Sequence, residues 1–297
     1  MNAVLAQESG RSFSYSSVSR PVPGDGEVLV GVRAAAITRD ELTWREEWPA
    51  IPSFEISGVV AEFGAGAEGF ATGEEVYALL DFAGTGGAAD FVAVPADQLA
   101  PKPATVDHVA AASLPLAALT ALQAFTDHAR LESGQRVLVH GGAGGVGNYG
   151  VQLAAALGAE VVATASARDA DYVRDLGASA VLDYRTRWED QIEPVDVVLD
   201  TVGGPVLDRS WQVIGKGGIL VAVATQPPDG AADAHGVRGD YFVVAPDRAQ
   251  LTEISRLVDA GTLRPQVGLT FPFVQAAAAF DALVNAHPRG KVVLTNE

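Results

Sequence analysis

Over the first hundred positions, apolar residues fall in short sets: Val28, Val30 and Val32; Val59 and Val60; Val76 to Leu80; Phe91 to Val94. Gly- and Pro-rich turns at Pro21 to Gly26, Gly64 to Gly69 and Gly84 to Gly87 separate them, a pattern that predicts the strands of a barrel-like unit. Beyond Pro101 and Pro103 the texture changes. Val109 to Arg130 has helical spacing, and strand-like and helix-like stretches then alternate. Strands are predicted at Val137 to His140, Glu160 to Ala165, Ala180 to Asp183, Val195 to Asp200, Gly218 to Ala224 and Tyr241 to Val244, the pattern of a doubly wound parallel sheet. The tail predicts a helix over Asp247 to Ala260, a strand at Phe271 to Phe273, a helix over Ala276 to Asn285 and a last strand at Lys291 to Leu294. The expected class is α/β: a β-barrel unit over residues 1–113, a doubly wound unit over 114–245, and a tail, 246–297, that returns to the first.

The most specific stretch runs from Arg136 to Gly158. A strand, a glycine-packed turn and an amphipathic helix follow one another, and Gly142, Gly144 and Gly147 carry the G-x-G-x-x-G spacing of a dinucleotide site. The first glycine is expected to permit the tight turn, the second to let backbone approach the pyrophosphate, and the third to let helix pack on strand. Gly142, Gly144, Gly145, Val146 and Gly147 are therefore the candidate phosphate-binding residues, at the positive end of a helix that Gly158 would cap.

Charge and composition narrow the reading. A formal charge of −17, from 20 basic and 37 acidic residues, opposes binding to nucleic acid or an anionic membrane. No apolar run approaches about eighteen residues, and Met1 to Gly10 lacks a signal-peptide layout, so a cytosolic protein is expected. With no Cys, disulfides, thiol catalysis and thiolate-held zinc are excluded. His108, His128, His140, His235 and His287 make no close pair on a helix face. Arg238-Gly239-Asp240 spells an adhesion tripeptide only by coincidence. Ser113 and Ser210 lie near no His–Asp arrangement in the sequence, and hydrolase chemistry has no support.

Six segments, in order, resemble the medium-chain dehydrogenase/reductase superfamily, and within it the zinc-free quinone oxidoreductase and enoyl reductase branch. They are Pro23 to Val30, Gly58 to Val60, Leu114 to Ala121, His140 to Gly147, Leu199 to Gly204 and Arg289 to Val293. The likeness spans nearly the whole chain. It implies a GroES-like N-terminal barrel, a Rossmann unit, and a homodimer in which Tyr241 to Val244 pairs with its twin. Where zinc-dependent relatives place their metal ligands, this chain has Ile37-Thr38-Arg39-Asp40-Glu41 and Ser53-Phe54-Glu55.

Without a Lewis acid to hold an alkoxide, hydride transfer to an enone or quinone is the expected chemistry, because charge spreads into an enolate that a few hydrogen-bond donors can stabilise. NADPH is the expected cofactor. Thr164-Ala165-Ser166-Ala167-Arg168, at the end of the second Rossmann strand, lacks the acid that binds a free ribose 2′-hydroxyl, while Ser166 and Arg168 suit a phosphate. The alternative is a solvated Arg168 with Asp169 doing the selecting. By resemblance, Tyr184 lies beside the adenosine phosphate, Thr120 near the nicotinamide, and backbone at Val223 and Phe242 by the carboxamide. Thr38 stands where relatives carry an Asn that contacts the nicotinamide ribose, and Glu41 near a family Asp. Trp44 to Trp48 offers two large aromatics near the expected cleft, which would suit flat, conjugated substrates. The loop tyrosine that relatives use as proton donor has no match, which leaves water, Tyr77 or a neighbouring group, with Asp81 and Phe82 facing the same space. The rival readings are a dedicated enoyl reductase of a polyketide-like intermediate and a non-catalytic NADPH-binding protein.

Overall fold

In the computed structural model, which describes residues 1–7 and 12–296, the chain divides into two units, residues 1–119 with 245–297 and residues 120–244. The first unit opens with a two-stranded ribbon, β1 (Asn2–Ala6) and β2 (Phe13–Ser17), followed by β3 (Glu27–Ile37), β4 (Glu55–Phe63), β5 (Glu75–Leu79), β6 (Phe91–Pro95) and β7 (Leu99–Pro101). β3 organises the unit. Its Val28, Val30, Val32, Ala35 and Ile37 enter the main apolar core, while Ala34 and Ala36 pack beside Ala112 of a short helix, α1 (His108–Ala112). Small side chains on that face let the helix approach the strand closely.

The helix expected over Val109 to Arg130 is broken into pieces. α1 ends at Ser113, α2 spans Pro115–Gln123, and a π-helical turn over Ala124–Ala129 ends at Arg130 with φ of 53°. Pro115 explains the first break, since it has no N–H to continue a helical ladder and serves instead as a helix start.

The second unit alternates β8 (Arg136–Val139), α3 (Gly147–Ala156), β9 (Glu160–Ala165), α4 (Ala170–Asp175), β10 (Ala180–Asp183), β11 (Val195–Asp200), α5 (Pro205–Ser210), β12 (Ile214–Ala222), α6 (Ala231–His235) and β13 (Arg238–Tyr241). All six strands are parallel, in the order β10-β9-β8-β11-β12-β13. This is the doubly wound arrangement expected. Chain direction across the sheet reverses between β8 and β11, which places the turn after β8 where such sheets bind ligands. The sixth strand lies earlier than the apolar run Tyr241 to Val244. Its ladder with β12 ends at Ala222↔Tyr241, and Phe242 instead stacks on His128 with ring centroids 4.0 Å apart.

The tail returns to the first unit through α7 (Arg248–Asp259), β14 (Val267–Pro272), α8 (Ala276–Asn285) and β15 (Lys291–Thr295). β14 begins four residues before the expected Phe271, because alternation from Leu269 to Phe271 already packs its inward face on the core. The sheet runs β14-β15-β3-β4-β5-β7, with β6 also paired to β3. α8 covers the core with Ala276, Ala279, Phe280 and Leu283.

Candidate active site

The glycine turn is built by close backbone approach. Gly141, one residue before the spaced motif, takes the left-handed conformation with φ of 69°, so the tight turn belongs to it rather than to Gly142. Gly142 is needed for space, since an added Cβ would lie 3.0 Å from both Ala163 Cβ and Val173 Cγ1. At Gly147 a Cβ would lie 2.1 Å from the Gly141 carbonyl oxygen, so this glycine lets the helix start close over the turn. Contact between α3 and the sheet rests on Gly150, where a Cβ would meet Leu199 Cδ2 at 2.8 Å. Gly144 has only the Gly141 oxygen nearby, at 3.2 Å. Asn148 Nδ2 donates to the carbonyls of Gly144 and Gly145, and no side chain caps α3 at Val146. The Asn148 and Tyr149 N–H groups donate to the Gly144 and Val146 carbonyls at 3.3 and 3.0 Å, so it is the N–H groups nearer the turn, from Gly145 to Gly147, that suit a phosphate.

A buried hydrogen-bond chain holds the turn from behind. The Gly141 N–H donates to Thr164 Oγ1 at 3.2 Å, Thr164 Oγ1 lies 3.0 Å from His140 Nδ1, and His140 Nε2 lies 2.9 Å from Ser210 Oγ, which donates to the Val206 carbonyl. The directions are mutually consistent when Nε2 carries the imidazole proton. Burial, reinforced by Arg209, pushes the His140 pKa down to about 3, so the ring is neutral. Ser210 thus does meet a histidine, although the sequence does not indicate it. Its partner ring faces a threonine rather than an acid, and all three groups are buried, so the constellation is structural.

At the end of β9, Ser166 Oγ donates to Asp169 Oδ2 at 2.6 Å, and Asp169 is only 6% exposed. Asp169 therefore points inward. The Arg168 side chain is 67% exposed with its Nε 3.6 Å from Asp169 Oδ1, and Tyr184, just past β10, is 49% exposed. The Val223 N–H is committed to the Asp200 carbonyl at 3.0 Å, leaving its carbonyl as the group that could meet a ligand. Thr120 is buried at the start of the second unit's chain segment.

In the first unit, Thr38 is the partly exposed end of a buried charged cluster. Lys291 Nζ donates to Thr38 Oγ1 at 2.8 Å and pairs with Glu55 Oε1 at 2.5 Å, though off that oxygen's hydrogen-bonding direction. Glu55 Oε2 accepts from the Leu116 N–H. Glu41 accepts from the backbone N–H groups of Thr38 and Ser53, each at 2.7 Å. Burial pushes its pKa up to about 7 against those two bonds and the Lys291 charge. Trp44, 43% exposed, meets Phe54 and Phe82 with centroids 5.8 and 5.5 Å away, and the Arg45 guanidinium sits 4.1 Å over Phe54.

Two candidate catalytic groups have other employment. Tyr77 is fully buried and its hydroxyl donates to the Leu251 carbonyl at 2.5 Å, with Ser255 Oγ 2.9 Å away; burial raises its pKa further. The hydroxyl thus ties β5 to α7. Asp81 closes its own turn by accepting from the Ala83 N–H. One arrangement unread from sequence resembles a hydrolase triad: Ser57 Oγ lies 2.8 Å from His108 Nδ1, and His108 Nε2 3.2 Å from Glu75. Ser57 is fully buried and bonds the Val76 carbonyl, so no substrate reaches it. Glu75 also pairs at 3.3 Å with Lys102, whose side chain is 4% exposed. Among the described residues no three His, Asp or Glu side chains converge as a metal-binding group, and no helix is long and apolar enough to cross a membrane.

Residues 24–104 match the alcohol dehydrogenase GroES-like domain family and residues 176–294 the zinc-binding dehydrogenase family. The chain is 33% identical to the NADPH-dependent alkenal/one oxidoreductase, chloroplastic, of Arabidopsis thaliana, over 94% of this chain and 74% of that protein. It is 38% identical to the spectinabilin polyketide synthase system protein NorB of Streptomyces orinoci, over 91% of this chain but 13% of that much larger protein. The solved quinone oxidoreductase from Coxiella burnetii superposes with a TM-score of 0.91 at 28% identity, covering 100% of this chain and 99% of that one. With a GroES-like unit, a doubly wound parallel sheet and these relatives, the chain belongs to the medium-chain dehydrogenase/reductase superfamily of NAD(P)H-dependent oxidoreductases.

Proposed function

We propose that the chain is an NADPH-dependent reductase of enones and quinones that works without zinc. The observation that carries the reading is the end of β9. The segment that would present an acid to a free ribose instead offers the exposed Arg168 guanidinium, while Asp169 is turned inward onto Ser166. The glycine turn fits such a cofactor, because Gly147 holds backbone where a Cβ has no room and α3 begins without a side-chain cap. In this reading Gly142, Gly144, Gly145, Val146 and Gly147 hold the pyrophosphate, Arg168 and Tyr184 the 2′-phosphate, and Thr120 with the Val223 and Phe242 backbone the nicotinamide end. Ser166 reaches the phosphate only by releasing Asp169.

Reduced nicotinamide, when bound, supplies the hydride. The chain's own contribution is to bind and orient, to exclude water, and to stabilise charge on the acceptor oxygen. Trp44 and Phe82 suit flat conjugated acceptors such as quinones and aryl enones. A homodimer and a cytosolic location belong to the same reading. The similarity to the polyketide synthase protein favours one second reading, a dedicated enoyl reductase of a biosynthetic intermediate.

NADPH oxidation measured against free enones, quinones and thioester enones separates these. Turnover of simple enones or quinones with NADPH well ahead of NADH is expected. Turnover confined to a complex thioester would select the dedicated reductase, and tight NADPH binding without hydride loss would leave a non-catalytic protein.

A further inference from the structure

Thr38 has an unusual hydrogen-bond inventory. Its Oγ1 accepts from Lys291 Nζ at 2.8 Å, and an ammonium has only donors, so the hydroxyl proton cannot point back along that bond. Among the described residues no acceptor for that proton is found, and Thr38 is the only partly exposed member of the cluster. Everything behind it is buried. Lys291, Glu55 and Glu41 are 4%, 0% and 1% exposed, and Glu41 also fixes the Thr38 backbone N–H.

We infer that Lys291 is a positioning residue that turns the Thr38 hydroxyl outward as a donor to the carbonyl oxygen of the conjugated acceptor. This rests on the reductase reading above. When hydride forms the new C–H bond at the β-carbon, the π electrons move onto that oxygen as an enolate. Thr38 hydrogen-bonds the oxygen while Lys291 keeps its proton, and solvent then protonates the enolate carbon. A donor already held in place by a buried ammonium needs no reorganisation as the charge develops.

The test uses 4-nitrophenolate as an enolate mimic, titrated against the protein saturated with NADP⁺. Thr38→Val should weaken its binding by about 10- to 100-fold, the range for a hydrogen bond to a charged group, while Thr38→Ser stays within about threefold on the same scale. Replacing one partner of the buried pair alone could unfold the protein, so Lys291→Met, which has no donor for Thr38, is combined with Glu55→Gln, removing both charges of the pair together. That double variant should match the Thr38→Val loss, and adding Thr38→Val to it should cost nothing more. In ¹⁵N-lysine spectra, simplified by the presence of only three lysines, the Lys291 signal should move in Thr38→Val and hold in Thr38→Ser. Unchanged phenolate binding in Thr38→Val would overturn the inference, as would a folded Lys291→Met/Glu55→Gln protein that binds it normally. A loss of NADPH affinity in its place would make Thr38 a ribose contact and overturn it too. Failure of the wild type to reduce any enone or quinone, with the phenolate and lysine results as expected, would count against the reductase reading alone.

Discussion

Substituting Gly147 by Ala places a Cβ 2.1 Å from the Gly141 carbonyl oxygen and 2.6 Å from its carbon, both backbone atoms. Such neighbours do not come closer than 3.0 Å to a real Cβ, and no side chain can swing away to relieve the contact. The start of α3 or the Gly141 turn must therefore move by most of an ångström. Forced overpacking of this kind costs about 1–3 kcal/mol, and the N–H groups proposed to face the pyrophosphate move with it. At about 1.4 kcal/mol per decade, we expect the NADPH dissociation constant to rise roughly 10- to 100-fold. For a destabilisation near 2 kcal/mol the melting temperature should fall about 4–8 °C. Isothermal calorimetry and thermal unfolding measure the two effects on the same sample. Two comparisons separate them. Gly150→Ala meets only the end of the Leu199 side chain and the Val139 methyls, so it should lower stability with little change in affinity. Gly144→Val has one neighbour at 3.2 Å and should lose NADPH affinity with little loss of stability. Wild-type affinity and melting temperature in Gly147→Ala would refute the steric reasoning.

Arg168→Ala should weaken NADPH by about tenfold or more, as expected on losing a charge-assisted bond, and leave NADH nearly unchanged; equal weakening of both would remove Arg168 as the selector. Tyr77→Phe should cost about 0.5–1.5 kcal/mol in unfolding experiments by removing the hydroxyl's bonds to the Leu251 carbonyl and the Ser255 hydroxyl, with turnover retained. A tenfold fall in kcat at unchanged stability would restore a catalytic Tyr77. Glu41 and His140 give stability opposite pH slopes. The Glu41 pKa rises from 4.5 to about 7 on folding, so its contribution is complete below 4.5 and lost as pH climbs to 7. The His140 pKa falls from 6.5 to about 3, so its contribution is complete above 6.5 and lost as pH falls toward 3. The two nearly cancel between pH 4.5 and 6.5. His140→Asn should expose the Glu41 slope, about 1.4 kcal/mol lost per pH unit in that window, and a flat urea-unfolding profile in the variant would contradict the assignment.

The architecture was legible because periodicity reports burial directly: valines at every second position on β3 and alternating strand and helix patterns over residues 136–222 describe faces that must be covered. The glycine turn was legible for a related reason, since few residue types fit it. Its internal assignments were not. Two of the roles read from spacing belong to neighbours, the positive φ to Gly141 and the helix–sheet contact to Gly150, because spacing names a motif without revealing which Cβ meets which atom. The Thr38–Lys291–Glu55 cluster joins residues up to 253 positions apart, and no local pattern announces such a contact. The same holds for His140 with Ser210, and for Tyr77, whose candidacy depended on not knowing that Leu251 and Ser255 enclose its hydroxyl. The late placement of the sixth strand came from following apolar residues, when the β12 ladder, not hydrophobicity, sets where an edge strand ends.

Quinones and enones alkylate nucleophiles, and the burial of Lys102 and Lys291 therefore bears on durability. The chain has no thiol, and of its three lysine amines two are enclosed in ion pairs, leaving Lys216 as the one open to solvent. Soft electrophiles passing over such a surface find little to arylate. In the proposed reading, a reductase of such acceptors is thereby spared the self-inactivation that a cysteine-bearing counterpart would suffer.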